Sequence, residues 1–532
     1  MTDGRTRGSV SAFFYTRGLQ RIDGAIFFDA VKLPPARCAR YSTMEFIDTL
    51  DDLERERFLK VQRLRERGIE PYPPRTTRTH TIAAVRALDE RGADPGVVTL
   101  VGRMTANRWT GKITFADLRD GTGRIQLFLR QDNLGAETYK HFLKDYDLGD
   151  FVQATGPLFK TKTGELSVQV TELVMLAKAV APMPEKFHGL TDKETRYRQR
   201  YLDLMTNEET RGVFRARQRI VTAMRAYLDR NDFIEVETPV LQALYGGALA
   251  KPFITYHNEL ERNLYLRIAD ELYLKRLLVG MFERVYEISK DFRNEGVDAT
   301  HLPEFTMMEC YQAFGDLSDM IKVVEDLFVE CATAAGGALQ ITYGEHQVDL
   351  TPPFARVAMR DAILEKTAID IYADDTFDAL KARIAEKNLR VEPQMNWGKL
   401  VEKLFGAYVE PTLIEPTFVV DFPTEISPFA KKKPGDPRVT ERFEIYVAGA
   451  EYGNAFTELN DPADQWQRFM EQQGNRARGD AEAQQMDDDY VQALKHGMPP
   501  TGGLGMGIDR LTMLLTNQHS IRDVVLYPQL RT

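Results

Sequence analysis

A chain of 532 residues with 43% hydrophobic and 28% charged side chains is too long for one core and is composed like neither a disordered nor a collagen-like protein. Two to four globular domains of roughly 100–200 residues are therefore expected. Its three cysteines, Cys38, Cys310 and Cys331, form no CxxC pair, so no disulfide framework or zinc site is supported and a reducing, cytoplasmic setting is the default. No apolar run nears the ~20 residues of a membrane span, and a net charge of −10 gives no bulk attraction to nucleic acid, although local basic faces can still steer a polyanion. Neither a membrane nor a DNA partner is expected.

Residues 1–43 carry seven basic and three acidic side chains without a sustained period. They read as an N-terminal extension, either a disordered arm or the result of a start assigned upstream of Met44. An Arg-rich transit peptide is the sharper alternative, weakened by Asp23 and Asp29. In the helical segment 44–97, IDTLDDLERERFLKVQRLRER at 47–67 predicts a helix, opened by a Thr49–Asp52 capping box and closed by Gly68, Pro71, Pro73 and Pro74. Arg57, Lys60, Arg63 and Arg67 share a face expected to be solvated, with contact to a nucleic-acid backbone as the alternative.

From 98 to 178, the alternating runs VTLVGRM, KITFADLRD, RIQLFLR, DFVQATGPLFKT and ELSVQVTELVML are separated by glycine-containing turns. Five strands so spaced predict a closed barrel of the OB type, whose open face stacks unpaired bases on aromatics. Phe115 and Gln126 are placed on that face, on neighbouring strands, with Glu165 nearby.

A proline-spaced linker, 179–212, leads to a region spanning 213–532. Ile220, Val221, Met224, Tyr227 and Leu228 share a helical face, and FIEVETP predicts a strand ending at Pro239. Helices and strands then mix without βα alternation, which predicts an α+β domain: a central antiparallel sheet flanked by helices.

Within it, DFRNEGVDATHLPEFTMMECYQ at 291–312 holds two strand-like halves joined by a polar turn. Period two puts Phe305, Met307, Glu309 and Tyr311 on one face, and Asp291, Arg293 and Glu295 on one face of the partner. A buried ionised carboxylate without a partner costs several kcal/mol, so these charges form an ion-pair lattice or meet a charged substrate. RFEIYVAGAEYGNAFTELND places Glu444 and Glu451 across a glycine turn, and Asn454, Phe456 and Glu458 on one strand face. TGGLGMGIDRLTMLLT is a glycine-rich run passing into a helix with Arg510 in its first turn. Its glycines would let a ligand approach the backbone and the arginine could serve an anion. Its spacing fails GxGxxG, and no GxxxxGK[ST] occurs in the chain.

On these residues the chain resembles a class II aminoacyl-tRNA synthetase, most closely a bacterial-type lysyl-tRNA synthetase. FIEVETP, FRNEGVDATHLPEFTMMECY and GGLGMGIDR resemble motifs 1, 2 and 3. The likeness runs from about residue 45 to the end. It implies ATP-dependent activation of L-lysine, transfer to tRNA(Lys), Mg²⁺ as cofactor and a homodimer with residues 214–239 at the interface. By the same resemblance Arg293 bridges the carboxylate and α-phosphate, Arg510 contacts the γ-phosphate and covers the adenine, and Phe305 stacks on its other face with His301 and Glu295 nearby. Glu444 and Glu451 match the magnesium carboxylates. Tyr311 and Glu458 match the positions that hold the lysine ammonium, with Glu309 beside them. Gly247 and Glu271 match the grip on the α-amino group, Asn454 lies near the carboxylate, and Phe456 flanks the stem. The charges of 291–312 would then be paired by lysine, ATP and metal rather than by one another. The barrel becomes an anticodon-binding domain in which Phe115 stacks on the central uridine, Gln126 hydrogen-bonds it and Glu165 reads a flanking base. Two positions depart from the pattern: Asp270 stands where many lysyl enzymes have proline, and Leu302 where a polar residue is frequent. Competing readings are a paralogue that aminoacylates a protein, disfavoured by the barrel, and a tRNA-binding protein with a dead catalytic domain, disfavoured by the presence of Arg293, Glu444, Glu451 and Arg510.

Overall fold

The computed structural model describes residues 43–184, 190, 192–392, 395–478 and 482–531. The expected N-terminal extension, with Cys38 and either reading of it, lies outside the described residues but for Thr43. The chain divides into two compact units, Met1–Met183 and Pro184–Thr532.

In the first unit, helix α1 (Asp52–Glu66) is opened by Asp51 and Glu54 in a reciprocal capping box, not by Thr49 and Asp52. A short helix, Thr43–Asp48, precedes it, and the Thr49 hydroxyl donates to its Phe46 carbonyl at 2.7 Å. The basic face of α1 is not solvated. Arg57 donates to the Leu148 and Ala181 carbonyls at 3.3 and 3.2 Å, Lys60 pairs with Asp147 at 2.7 Å, and Arg63 and Arg67 both pair with the buried Asp145. These partners lie more than 75 residues downstream of α1, out of reach of a local charge count.

The barrel strands are β1 (Val97–Thr110), β2 (Ile113–Arg119), β3 (Arg124–Arg130), β4 (Phe151–Lys160) and β5 (Leu166–Val170). They close in the order β1-β2-β3-β5-β4 and back to β1, with β3 and β5 parallel. The run ELSVQVTELVML breaks at Thr171, and its second part, β6 (Glu172–Ala177), pairs with β4. Alternation puts Ala116, Leu118, Ile125, Leu127, Val152 and Val168 inside, each essentially fully buried; burying such side chains contributes roughly 1.5–3 kcal/mol each for the larger ones.

The second unit is built on an eight-stranded sheet. In chain order its strands are β7 (Ile234–Glu235), β8 (Arg284–Phe292), β9 (Glu304–Ala313), β10 (Ala355–Ala358), β11 (Thr417–Val420), β12 (Arg442–Val447), β13 (Ala450–Thr457) and β14 (Thr501–Gly507). Their spatial order is β10-β11-β12-β13-β14-β9-β8-β7. The six central strands are antiparallel and each edge strand is parallel to its neighbour. The antiparallel centre of the α+β expectation is thus present. FIEVETP supplies only the two residues of β7: Val236 still donates to the Tyr286 carbonyl, but Thr238 turns to the Glu287 carboxylate, through its N–H at 3.0 Å and its hydroxyl at 2.7 Å, and leaves the sheet. The glycine-rich run, expected only to pass into a helix, forms the central strand β14 before it does so.

Helices α2 (Glu208–Arg230) and α4 (Leu317–Gly336) cover one face, with α5 (Ile508–Leu515) following β14. Ile220, Met224, Val324, Phe328 and Leu511 pack there against Tyr286, Met308, Cys310, Leu504 and Met506. With period two, the other residues of the same strands are left for the opposite face. Residues 179–212, expected as a linker, contain helices Lys193–Arg198 and Arg200–Thr206. They are tied to the end of the chain: the buried Arg200 pairs with Asp203 and donates to the Arg522 and Leu526 carbonyls at 2.7 and 2.9 Å.

Candidate active site

The uncovered sheet face floors a cavity of about 440 Å³, and all fourteen residues that the sequence assigns to the catalytic site line it. Strand β9 presents Phe305, Met307, Glu309 and Tyr311, and opposite them β8 sets Asp291, Ser289, Glu287 and Val285 in register. Arg293 and Glu295, expected on that strand face, lie past the end of β8 in the loop to β9. There the Arg293 guanidinium sits 5.0 Å from the centre of the Phe305 ring, a spacing at which cation and π-face attract.

Glu444 on β12 and Glu451 on β13 are brought together by a turn whose central residues, Ala448 and Gly449, both take positive φ. Burial, then the charge of Glu451, raises the Glu444 carboxyl to about 7, with Arg442 opposing. Arg510, in the first turn of α5, donates to the Glu451 carbonyl at 2.9 Å and meets the His301 imidazole at 3.0 Å. Asn454 accepts from Arg442 Nε at 3.1 Å.

The other end of the cavity is acidic. Glu309 accepts the Tyr311 hydroxyl at 3.1 Å, Glu271 opens helix α3 (Glu271–Val279), and Glu458 follows β13. A side chain at Gly503 would overlap the Glu458 carboxylate and come within 2.6 Å of the Tyr311 ring. This glycine makes room for those two groups, a role the sequence alone did not suggest. Gly247, at φ +91°, takes a backbone conformation that L side chains rarely adopt and lies against Ala269 and Glu271.

Sequence reasoning missed Lys275. Its Nζ is fully buried and pairs with both Glu271 and Glu458, 5.2 Å and 5.4 Å from the Phe429 and Phe456 rings. Burial works against its charge, but the two carboxylates hold its pKa above the ordinary lysine range. Burial pushes the Glu458 carboxyl up while Lys275 pulls it down. Likewise Arg267 pairs with Asp270, Glu287 and Asp291. The expectation that these charges are not paired by one another therefore fails in part: an internal lattice exists. It does not neutralise the site, because one ammonium stands between two carboxylates and Glu309 lies beside them. The available signal was the Glu271–Lys275 spacing of four on a helix, which normally marks an exposed pair.

A family model for tRNA synthetases class II (D, K and N) matches residues 192–531. The chain belongs to the class II tRNA synthetases. A second model, for an OB-fold nucleic acid binding domain, matches residues 98–176 of this synthetase. Among curated proteins it is similar to the lysine–tRNA ligase of Chloroflexus aurantiacus, 55% identical over 484 residues, which cover 91% of this chain and 99% of that one. The lysine–tRNA ligase of Roseiflexus sp. is 54% identical at the same coverage. That of Bacillus subtilis is 48% identical over 91% of this chain and 98% of its own.

In the barrel unit of the synthetase, Phe115 faces outward on β2. Its ring lies 5.1 Å from that of Phe128, which lies 5.3 Å from Phe159, so the expected aromatic belongs to a row of three. Gln126, on the same face of β3, is buried, and its Oε1 accepts the Ser167 hydroxyl at 3.0 Å. Glu165 pairs with Arg124 at 3.0 Å, and Arg124 also reaches Asp117 at 3.1 Å. Phe128, Phe159 and Arg124 were not singled out by the sequence; their outward phase on the strands was the available signal.

Proposed function

We propose that this synthetase activates L-lysine with ATP to lysyl-adenylate and pyrophosphate, then transfers lysine to the 3′ end of tRNA(Lys). The observation that carries the choice of amino acid is the acidic, aromatic end of the cavity. A buried cation is favoured there by Glu458, Glu309 and the Tyr311 hydroxyl, with Phe456 along its aliphatic stem. The anionic side chain of aspartate would meet repulsion, and asparagine would leave carboxylates unpaired. Glu271 and the backbone at Gly247 would hold the α-amino group, and Asn454 would lie near the carboxylate.

Activation joins two anions, as the lysine carboxylate attacks the α-phosphorus in line and pyrophosphate leaves. Arg293, stacked on Phe305 in the cavity, would bridge the two and stabilise the developing charge. Arg510 would bind the γ-phosphate and, with Phe305, enclose the adenine, and His301 and Glu295 would complete the ATP end. The donor set also fits Mg²⁺. Glu444 and Glu451 are hard carboxylate ligands, and their mutual repulsion, which adds to burial in raising Glu444, would be relieved by a divalent cation. They would hold the ion, which supplies charge neutralisation on the phosphates when bound.

The barrel, residues 98–178, would read the anticodon, with Phe115 stacking on and Gln126 hydrogen-bonding the central uridine and Glu165 addressing a flanking base. A homodimer through residues 214–239 is supported by the exposed apolar side chain of Ile234, continued just past that segment by exposed Val240, Leu241 and Leu244. A cytoplasmic setting accords with the free, buried Cys310 and Cys331 and with the lack, among the described residues, of any helix long and apolar enough to cross a membrane. The decisive experiment is ATP–pyrophosphate exchange with each of the twenty amino acids in the presence of Mg²⁺. Exchange with lysine alone is expected; exchange with aspartate or asparagine overturns the pocket argument.

A further inference from the structure

Beneath the acidic end of the cavity, Asp270, Asp291 and Glu309 converge from three elements: the residue before α3, strand β8 and strand β9. One carboxylate oxygen from each lies within 4.8 Å of the other two. Asp270 and Asp291 are 0% exposed and Glu309 is 6% exposed. Neither oxygen of Asp291 receives a hydrogen bond, and neither does Oδ1 of Asp270. Asp270 Oδ2 accepts the Ser289 hydroxyl at 2.5 Å, and Glu309 Oε1 receives the Asp270 N–H at 3.4 Å.

The guanidinium in contact with the group is Arg267, 2.9 Å from Asp270 and 3.5 Å from Asp291. Its hydrogens are directed elsewhere: Nε donates to the Lys290 carbonyl at 2.9 Å and Nη1 to Glu287 at 2.6 Å. Glu287 is thus a third carboxylate on the same cation, beside Asp270 and Asp291. The charge of Arg293 also acts on Asp291, and still burial, reinforced by the neighbouring carboxylates, raises Asp270 to about 8 and Asp291 to about 6. So dense a set of buried carboxylates either shares protons or holds a further cation.

We propose that Asp270, Asp291 and Glu309 form a second cation site, separate from Glu444 and Glu451, for a hard divalent ion such as Mn²⁺ or Ca²⁺. The donors are all oxygen, with no thiol or imidazole among them, which selects ions of this class. An ion with metal–oxygen distances of about 2.1–2.5 Å can touch oxygens up to roughly 5 Å apart, so the convergence suits a single ion. The two orphaned Asp291 oxygens supply ligand positions that the protein leaves open. Because Glu309 turns its other oxygen to Tyr311 at the cavity, the ion would hold that residue ionised from below. The proposal stands apart from the choice of lysine as substrate, since its test uses neither amino acid nor nucleotide.

The test is Mn²⁺ binding to full-length, chelator-stripped protein, followed by electron paramagnetic resonance without ATP or tRNA. A Glu444→Gln/Glu451→Gln background removes the other carboxylate pair. One Mn²⁺ per chain, displaced by Ca²⁺, is expected there, and adding Asp291→Asn or Asp270→Asn weakens it at least ten-fold. In parallel, Mn²⁺ raises the Tm of the background protein but not of either Asn variant. If one Asn variant fails to fold, the other carries the comparison. No Mn²⁺ bound at millimolar concentration in the background protein, or equal binding after Asp291→Asn and Asp270→Asn, overturns the site and leaves shared protons as the way these carboxylates are accommodated.

Discussion

Replacing Lys275 by methionine keeps an unbranched side chain one atom shorter and removes its charge, leaving the buried Glu271 and Glu458 facing each other at the end of the cavity. Breaking a buried ion pair by removing one partner costs about 3–5 kcal/mol. With an unfolding entropy of ~2.1 cal/mol/K per residue over the Pro184–Thr532 unit, ~1 kcal/mol corresponds to ~1.4 °C, so the variant is expected to lose ~4–7 °C in Tm. The sign with pH is fixed. Both carboxyls are raised in the folded state, and without Lys275 nothing in the trio pulls them down. A group raised on folding stabilises fully below its unfolded pKa, about 4.3 for glutamate, and that contribution is lost as pH rises through the folded value. The deficit is therefore smallest in acid and grows toward neutral pH. Millimolar lysine should return part of the lost stability to the variant, because a bound ammonium meets the same carboxylates. Thermal unfolding of wild type and Lys275→Met from pH 4.5 to 8, with and without lysine, checks each step. A loss below ~1 kcal/mol at neutral pH, or a deficit that shrinks as pH rises, would refute the charge arrangement.

Glu458→Gln is expected to raise the KM for lysine at least ten-fold and relax discrimination against uncharged analogues; amino-acid-dependent pyrophosphate exchange reads this, and an unchanged preference removes Glu458 from the pocket. Arg293→Ala should abolish adenylate formation while far-UV circular dichroism and tRNA binding persist, so substantial exchange in that variant rules out the bridging role. Phe115→Ala should weaken tRNA charging by about 1–3 kcal/mol of lost base stacking and leave adenylate formation unchanged; equal loss of both contradicts the barrel's role. With Glu444 raised to about 7, protons compete for the carboxylate, so the Mg²⁺ concentration needed for half-maximal exchange should rise as pH falls from 8 to 6. Glu444→Gln should flatten that dependence, measured as exchange rate against Mg²⁺ at each pH.

Much of this molecule was legible because its signals are local. The alternation of KITFADLRD and RIQLFLR set the inward and outward faces of the barrel, and the period-two placement of Phe305, Glu309 and Tyr311 holds in β9. The strand assignment of FIEVETP failed where a side chain competed with the ladder: Thr238 bonds Glu287 instead of a neighbouring strand. The glycine run gave no strand signal because glycine weakens a strand in isolation. In place, Gly503 is needed in the middle of one, where Glu458 and Tyr311 fill the space beside it.

What stayed illegible is the identity of long-range charge partners. Arg63 and Arg67 looked like a solvated stripe until Asp145 was placed against them, and Lys275, four residues after Glu271 on a helix, drew no notice although Glu458, 183 positions further along the chain, closes on it. In both cases the local spacing alone suggests an exposed charge, and burial reverses that meaning. A charge–charge contact that adds a few tenths of a kcal/mol on an exposed helix becomes, inside a closed site, a requirement whose removal costs several. The same reversal explains how one cavity can hold an internal lattice and still be made for a cation. Lys275 offsets one of two carboxylates, so the pocket can remain folded without substrate while keeping the negative charge that a second ammonium must meet.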